Sequence, residues 1–499
     1  MKIPKSIYNW LSLLGIIISI NCALLIVALF IISLSSDTGS AYLGLYIYII
    51  LPTLLVLGLL LVLIGMLIKR RRKLDDEGSS RRWPLLDLNN PRQRRSLAVV
   101  SVSALIFLVV SAMGSYQAFQ YSESVSFCGK LCHEVMKPEY VTYLHSPHAR
   151  VRCVECHVGE GADWYVKSKL AGLYQLYAVT FNVFPRPIPT PVKNLRPARE
   201  TCEKCHWPQK FYPQSLRNLK NFITDSANTE WNVSMVMKTG PAFSALALKE
   251  GIHWHINPDV KIEYISNSKD RESIPWVRFT NKRTGEVQIF EDSENPLTKK
   301  AIDSLETRTM DCMDCHNRPS HSYKSPVTYV DNALIAGEIP LELPYIKKIA
   351  MKILKLQFNK TDSAIMFIRD TINKWYQVKH PEIYNTQKPL IDKAIVGIID
   401  AFQKNTFPEM KVTYASYLNH IGHIESNGCF RCHSDKHKTT SGKVISKDCN
   451  LCHSIIAQGP NNNLKTGTTS APLEFQHPID IGNDWKDYFC TECHRVLYP

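Results

Sequence analysis

The sequence predicts three N-terminal transmembrane helices followed by a mainly α, loop-rich region whose middle segment contains a small β-hairpin. Three observations lead there. Three apolar stretches precede residue 120, a strongly basic loop separates two of them, and the remainder is punctuated by Cys and His rather than by a long apolar period.

The apolar stretches are Tyr8 to Ser35, Ala41 to Ile68 and Leu97 to Tyr116. Each reaches the roughly 20 residues that a bilayer-crossing helix needs. The first also fits a cleaved signal sequence, but its apolar run exceeds the usual span of about 7 to 15 residues, so it reads as a retained anchor. Cys22 within it reads as a small apolar packing residue. Between the second and third stretches come Lys69 to Lys73, KRRRK, then Arg81, Arg82, Arg92, Arg94 and Arg95, while SSDTGS joins the first two without a base. Basic loops stay on the cytoplasmic side. Three crossings then put everything after Tyr116 outside, in the periplasm of a bacterial inner membrane. The basic loop also suits anionic lipid. The segments are residues 1–36 and 37–68 for the first two spans, 69–96 for the basic cytoplasmic loop and 97–118 for the third span.

Fourteen of the fifteen cysteines fall into seven pairs, each followed by His. Six read C-x-x-C-H: Cys153/Cys156/His157, Cys202/Cys205/His206, Cys312/Cys315/His316, Cys429/Cys432/His433, Cys449/Cys452/His453 and Cys490/Cys493/His494. The first, Cys128/Cys132/His133, has one more residue between its cysteines. C-x-x-C-H is the attachment signature of c-type haem: the thiols bond the porphyrin and the His becomes an axial iron ligand. Zinc uses two C-x-x-C pairs per ion, which neither explains the His nor divides seven pairs, and disulfides leave the His equally unexplained. Seven covalently bound haems c are therefore expected. In the longer first motif, the additional residue can bulge within the loop. The formal charge of +14 resembles that of a polyanion binder, but about two propionates per haem offset it, so nucleic acid is not implied.

The motifs divide the outer part into a module over 119–210 (haems 1 to 3), a middle segment over 211–345 with the lone fourth motif, and 346–499, a helical segment with the last three motifs. WVRF and VQIF around a turn rich in Gly and charge predict a hairpin. Ile365, Ile368, Ile372 and Tyr376, and Ile395, Ile398, Ile399 and Phe402, are spaced as the buried faces of two helices. ADWYVKSKLAGLYQLYAVTF mixes Trp164, Tyr165, Tyr174 and Tyr177 with Lys167 and Lys169. It fits a helix in the headgroup layer, with a buried amphipathic helix as the other reading.

Seven irons need fourteen axial ligands, and ten histidines lie outside the motifs. Proximity to a motif singles out His148, His321, His423, His437 and His477; the choice between His145 and His148 falls on the latter. His253 and His255 in HWH alternate like strand residues pointing one way, and His255 is the one selected. His380 and His420 stay undecided. Met136, three residues after His133, is a candidate second ligand for the first iron, since a thioether raises its potential. Gap-filling packing is the other reading.

FCGKLCHEVMKPEYVTYLHSPHARVRCVECH, after a membrane helix, resembles the start of the NapC/NirT-type quinol-oxidising cytochromes c. The resemblance covers about Leu97 to Trp207 and departs twice from the usual C-x-x-C-H-x-M, in the longer Cys gap and in the later Met. The rest, with seven haem motifs and three apolar segments, is similar to the inner-membrane cytochromes of metal-reducing bacteria of the ImcH type. This resemblance implies menaquinol oxidation at the first haem and electron delivery to periplasmic multihaem cytochromes c. It also implies an acidic residue and a lysine at the quinol site, for which Asp163 and Lys167 are the nearest candidates. A terminal reductase of nitrite, hydroxylamine or sulfite is the competing function, and a haem-binding docking subunit a third. The fold class is thus three membrane helices and a periplasmic multihaem cytochrome c region.

Overall fold

The computed structural model describes residues 9–35, 50–76, 88–132, 134–159, 162–190, 197–240 and 251–495. It forms two compact units: Met1–Met136 with Arg152–Val154, and Lys137–Val151 with Glu155–Pro499.

The first unit is helical. Trp10–Ser35 packs along Leu51–Asp76, and Trp10–Leu29 and Leu51–Lys69 are each long and apolar enough to cross a membrane. Their shared seam is small. Ser12, Gly15, Ser19 and Cys22 are buried on one helix, and Leu51, Gly58 and Gly65 on the other. A Cβ on Gly15 would meet the Gly58 carbonyl at 2.5 Å, and one on Gly58 would meet Ser19 Oγ at 2.6 Å. Backbones this close need residues without bulk, as in membrane helix pairs generally. The Ser12 hydroxyl donates to the Val62 carbonyl at 3.1 Å. A third helix, Pro91–Ser122, exposes Leu105, Ile106, Leu108, Val110 and Met113.

The second unit holds a helical core and two antiparallel sheets. The core joins Pro326–Ile335, Ile346–Leu354, Thr361–Lys379 and Lys388–Asn405. Ile368, Ile372, Tyr376, Ile395, Ile398 and Phe402 are all fully or almost fully buried there, with Ala364 taking the inward place beside half-buried Ile365. The strands are β1 (Ser215–Phe222), β2 (Glu230–Met237), β3 (Val260–Ile265), β4 (Trp276–Asn281), β5 (Val287–Asp292), β6 (Thr307–Thr309), β7 (His437–Lys438), β8 (His453–Pro460) and β9 (Lys465–Thr466). They are ordered β1-β2-β8-β9 and β6-β3-β4-β5-β7. The hairpin expected from WVRF and VQIF is β4–β5, with Val277 opposite Phe290. It is one part of more β-structure than the sequence suggests. The reason is range: β8 pairs with β2 and β7 with β5 across long stretches of chain, and local alternation does not reveal such partners.

A second correction concerns HWH. Ile252–Ile256 is a short 3-10 helix, not a strand. At about three residues per turn, positions two apart diverge instead of sharing a face.

Ala162–Thr180 is helical, as expected. Leu170, Leu173, Tyr174, Tyr177 and Phe181 are all exposed, whereas Ala178 is buried. An exposed apolar stripe of this kind fits the headgroup reading rather than that of a buried helix.

Candidate haem-binding sites

Each regular motif is built on one tight turn. The backbone N–H of His206 donates to the Cys202 carbonyl at 2.8 Å, that of His316 to Cys312 at 2.8 Å, and that of His433 to Cys429 at 3.0 Å. A turn closed between the first Cys and the His brings both thiols to one side with the imidazole beside them, the arrangement that two thioether bonds and an axial ligand require. Caps fix these turns. Asp311 and Asp314 form a capping box around Cys312–Cys315, and Asp448 accepts from the Asn450 N–H before Cys449–Leu451.

The first motif differs in its opening. Ser124 caps the helix Val125–Lys130, accepting from the Phe127 N–H at 3.0 Å, and the chain continues through the additional residue Leu131, which is buried. The inserted residue thus turns inward and leaves both cysteines half-buried. The Met136 N–H donates to the Cys132 carbonyl at 2.9 Å, so the half-buried Met136 belongs to the same compact turn. His133 lies outside the described residues. The Cys153 thiol meets the Cys128 thiol, which lowers its pKa to about 7.

The attachment cysteines are not equally enclosed. Cys156, Cys205, Cys449 and Cys493 are exposed, whereas the other ten are half-buried. Cys156, Cys205 and Cys493 are each the second cysteine of their motif, beside the histidine. A five-residue turn has too little chain to cover both of its own thiols, so cover comes from distant elements or from the flat apolar face of the haem itself. The motif fixes the bonding chemistry, and the surrounding fold fixes the burial.

The other six motif histidines each face a second histidine. Ring centres are 6.0 Å apart for His148 and His206, 6.2 Å for His321 and His157, and 6.4 Å for His253 and His316. They are 5.8 Å apart for His255 and His433, 6.3 Å for His423 and His453, and 6.1 Å for His477 and His494. A metal between two imidazole nitrogens at about 2.0 to 2.1 Å each, with each ring centre roughly 1.1 Å farther back, separates the centres by about 6.2 Å. The six spacings fit an iron between each pair, and each of the six joins a motif histidine to a histidine outside the motifs.

Hydrogen bonds orient several of these rings. Nδ1 lies 3.0 Å from the Pro319 carbonyl in His148, 2.6 Å from Ile252 in His255, 2.9 Å from Glu139 in His321 and 2.8 Å from Ile479 in His477. A carbonyl only accepts, so in His148, His255 and His321 Nδ1 carries the proton and the neutral ring leaves Nε2 free to bind a metal, whereas in His477 the Ile479 N–H also points at Nδ1, at 3.3 Å. Burial and the neighbouring His157 push the His321 pKa down to about 4, and burial with His453 does the same for His423. Both effects favour the neutral, metal-ready form. Burial also pushes the thiols of Cys315 and Cys429 up to about 11, as expected of an apolar lining.

His437 is turned elsewhere. Its buried ring has Nε2 at 2.7 Å from the Ile274 carbonyl and Nδ1 at 3.3 Å from the Ser434 hydroxyl, so both nitrogens serve the sheet edge. His253, passed over in favour of its neighbour, occupies a ligand-like place instead; both members of HWH face motif histidines, because the 3-10 turn aims them apart. His420 is held between Arg431 and Glu272, and His380 lies among Tyr345, Trp375 and Tyr376. The Asp163 side chain lies outside the described residues, while Lys167 is exposed on the same helix.

Comparison with known proteins gives the family. Residues 90–187 match the N-terminal region of the NapC/NirT cytochrome c family. The cytochrome c-type protein ImcH of Geobacter sulfurreducens is 40% identical over 496 residues, covering 99% of this chain and 96% of that protein. The cytochrome c-type protein NrfH of Wolinella succinogenes is 30% identical over 114 residues, 22% of this chain and 63% of that protein. No solved structure matches. Covalent haem attachment turns, paired imidazoles, apolar anchoring helices and near full-length similarity converge: the chain belongs to the membrane-anchored multihaem cytochromes c of the NapC/NirT type and to the ImcH-like branch among them.

Proposed function

We propose that this protein is a heptahaem cytochrome c that oxidises menaquinol at the periplasmic face of the inner membrane and relays the electrons to periplasmic multihaem cytochromes c. The observation that carries the proposal is the set of six histidine pairs at 5.8 to 6.4 Å. When bound, c-type haem supplies one-electron redox chemistry without bond-making. Two strong ligands per iron leave no open position for a substrate, which favours relay over the terminal reduction of nitrite, hydroxylamine or sulfite.

In this reading, Pro91–Ser122 is the third span and the basic loop before it is cytoplasmic. The first attachment motif follows that helix directly, so its site lies at the lipid surface. The exposed stripe from Leu170 to Phe181 rests in the headgroup layer. Quinol oxidation releases two protons along with two electrons. Asp163 and Lys167, four residues apart on one helix and hence on one face, are the proposed pair: the carboxylate takes a proton from the quinol hydroxyl and the ammonium holds the ring oxygen. Met136 is the proposed second ligand of the first iron, where a weaker donor eases electron entry. His148, His321, His423 and His477 are proposed as the distal ligands of the third, second, sixth and seventh irons.

The test is a potentiometric titration of the purified protein with and without a menaquinol analogue, together with an intact-mass count of haems. Seven haems, with one perturbed by the analogue, are expected. Seven haems that all ignore it would end the quinol assignment.

A further inference from the structure

The fourth motif stands alone between two clusters of three, and its position in the sequence does not say which cluster it joins. Its surroundings tie it to the fifth. One turn of 3-10 helix carries both His253, 6.4 Å from His316 of the fourth motif, and His255, 5.8 Å from His433 of the fifth. Trp254 between them is stacked on Phe279 of β4, with ring centres 5.5 Å apart, in an apolar cluster that also receives Cys432. The indole therefore anchors the turn to the sheet.

An independent bond fixes the same two motifs. Arg431, between the cysteines of the fifth motif, donates from Nη2 to the carbonyl of Asp314, between the cysteines of the fourth, at 2.7 Å. Asp314 is itself held by the Tyr264 hydroxyl at 2.5 Å and by Arg271 Nη1 at 3.1 Å. A buried arginine bonded to a carbonyl in a neighbouring motif leaves little freedom between them.

We propose that His253-Trp254-His255 is a shared ligand bridge, with His253 the distal iron ligand of the fourth haem and His255 that of the fifth, so that one rigid turn couples the two clusters. This rests on the haem reading above. Residues two apart on a 3-10 turn diverge by roughly 240°, so the two rings cannot close on a single iron. They reach two irons whose separation is set by one short peptide, with the tryptophan as the wedge. On its other side the fourth motif meets the third, where the Cys312 and Cys202 thiols are in hydrogen-bond contact, so the lone motif is the joint through which electrons collected by the first three sites reach the last three.

The experiment uses the full-length protein in membranes or detergent, with His253→Met and His255→Met made singly and together and Trp254→Phe as a control. Intact mass gives the number of haems, and electron paramagnetic resonance with potentiometric titration gives the ligation of each. Each single variant is expected to keep seven haems and convert one of them, a different one in each case, from bis-His to His/Met ligation with a raised potential. The double variant converts two, and Trp254→Phe converts none. Where a Met variant loses haem, the corresponding Ala variant should regain one low-spin signal on addition of imidazole, and failure to regain it counts against the bridge. A double variant with seven haems and one or no altered signal overturns the bridge while leaving the haem reading intact. An unmodified protein without haem overturns both.

Discussion

A C-x-x-C-H turn is complete within five residues, whereas the second imidazole is contributed from elsewhere in the chain. Each of four such imidazoles is fixed by a backbone carbonyl on its far nitrogen, a contact in which any residue can supply the carbonyl. The helical core shows the opposite economy of polar groups. Lys347 and Asp331 form a buried pair at 2.6 Å. Burial pushes the lysine pKa down and the carboxyl pKa up despite the attraction between them, so the pair recovers little of its desolvation cost. Lys347→Met alone should therefore destabilise the second unit by about 3 to 5 kcal/mol, whereas Lys347→Met with Asp331→Leu should return to near wild-type stability. A thermal melt of the three proteins checks this; equal losses in the single and double variants would contradict it. Glu263 behaves differently. Burial works to raise its pKa, but Lys261 at 2.7 Å and Arg278 at 2.8 Å outweigh it, and the net shift is downward. A carboxylate with a depressed folded-state pKa stabilises the fold fully above its unfolded value of about 4.3, and that contribution is lost as pH falls through the folded value. Glu263→Gln should flatten that part of the acid-unfolding curve.

At the scale of elements, the first two helices are specified by their seam. Ser12, Gly15, Ser19 and Cys22 recur every three or four residues, and Leu51, Gly58 and Gly65 every seven. The pattern was readable as apolar helix, yet its pairing partner was not, because lipid and a neighbouring helix present the same apolar surface to a side chain. Gly58→Leu should separate the pair, since its Cβ alone would lie 2.9 Å from the Gly15 carbonyl. Lower thermal stability in detergent is the expected readout. Gly114→Leu, in the third helix where a Cβ meets nothing within 4 Å, should leave stability unchanged. Loss of stability in both would show that bulk alone, and not the seam, is responsible. The middle segment illustrates the limit of local reading at this scale: β4 and β5, joined by a short turn, were visible, whereas β2 finds β8 only through the folded chain.

For the whole molecule, the consequence is that the second unit is not a string of separable haem modules. The last three motifs enter or flank the sheets begun by the middle segment, and β7 and β8 complete them. Ending the chain after residue 428 would remove β7, β8 and β9 and open long edges on β2 and β5, which invite aggregation. Such a truncated protein should carry fewer haems than the four attachment motifs it retains. Haem staining of the membrane fraction with an intact-mass measurement checks this, and full occupancy of all four would show the modules to be independent.

The amino-acid order by itself marked the first two apolar helices and the C-x-x-C-H turns, because apolar length and a five-residue turn are both local properties. It also pointed to most of the histidines whose rings stand near a motif histidine. Only the tertiary structure decided which motif cysteines are half-buried and which, like Cys156, Cys205 and Cys493, are exposed. It alone separated His253 from His437, putting one beside His316 and both nitrogens of the other into the sheet edge. The physical reason is that axial coordination joins residues distant in the chain across a gap of fixed width, and a one-dimensional string carries no record of which imidazoles will face each other across it.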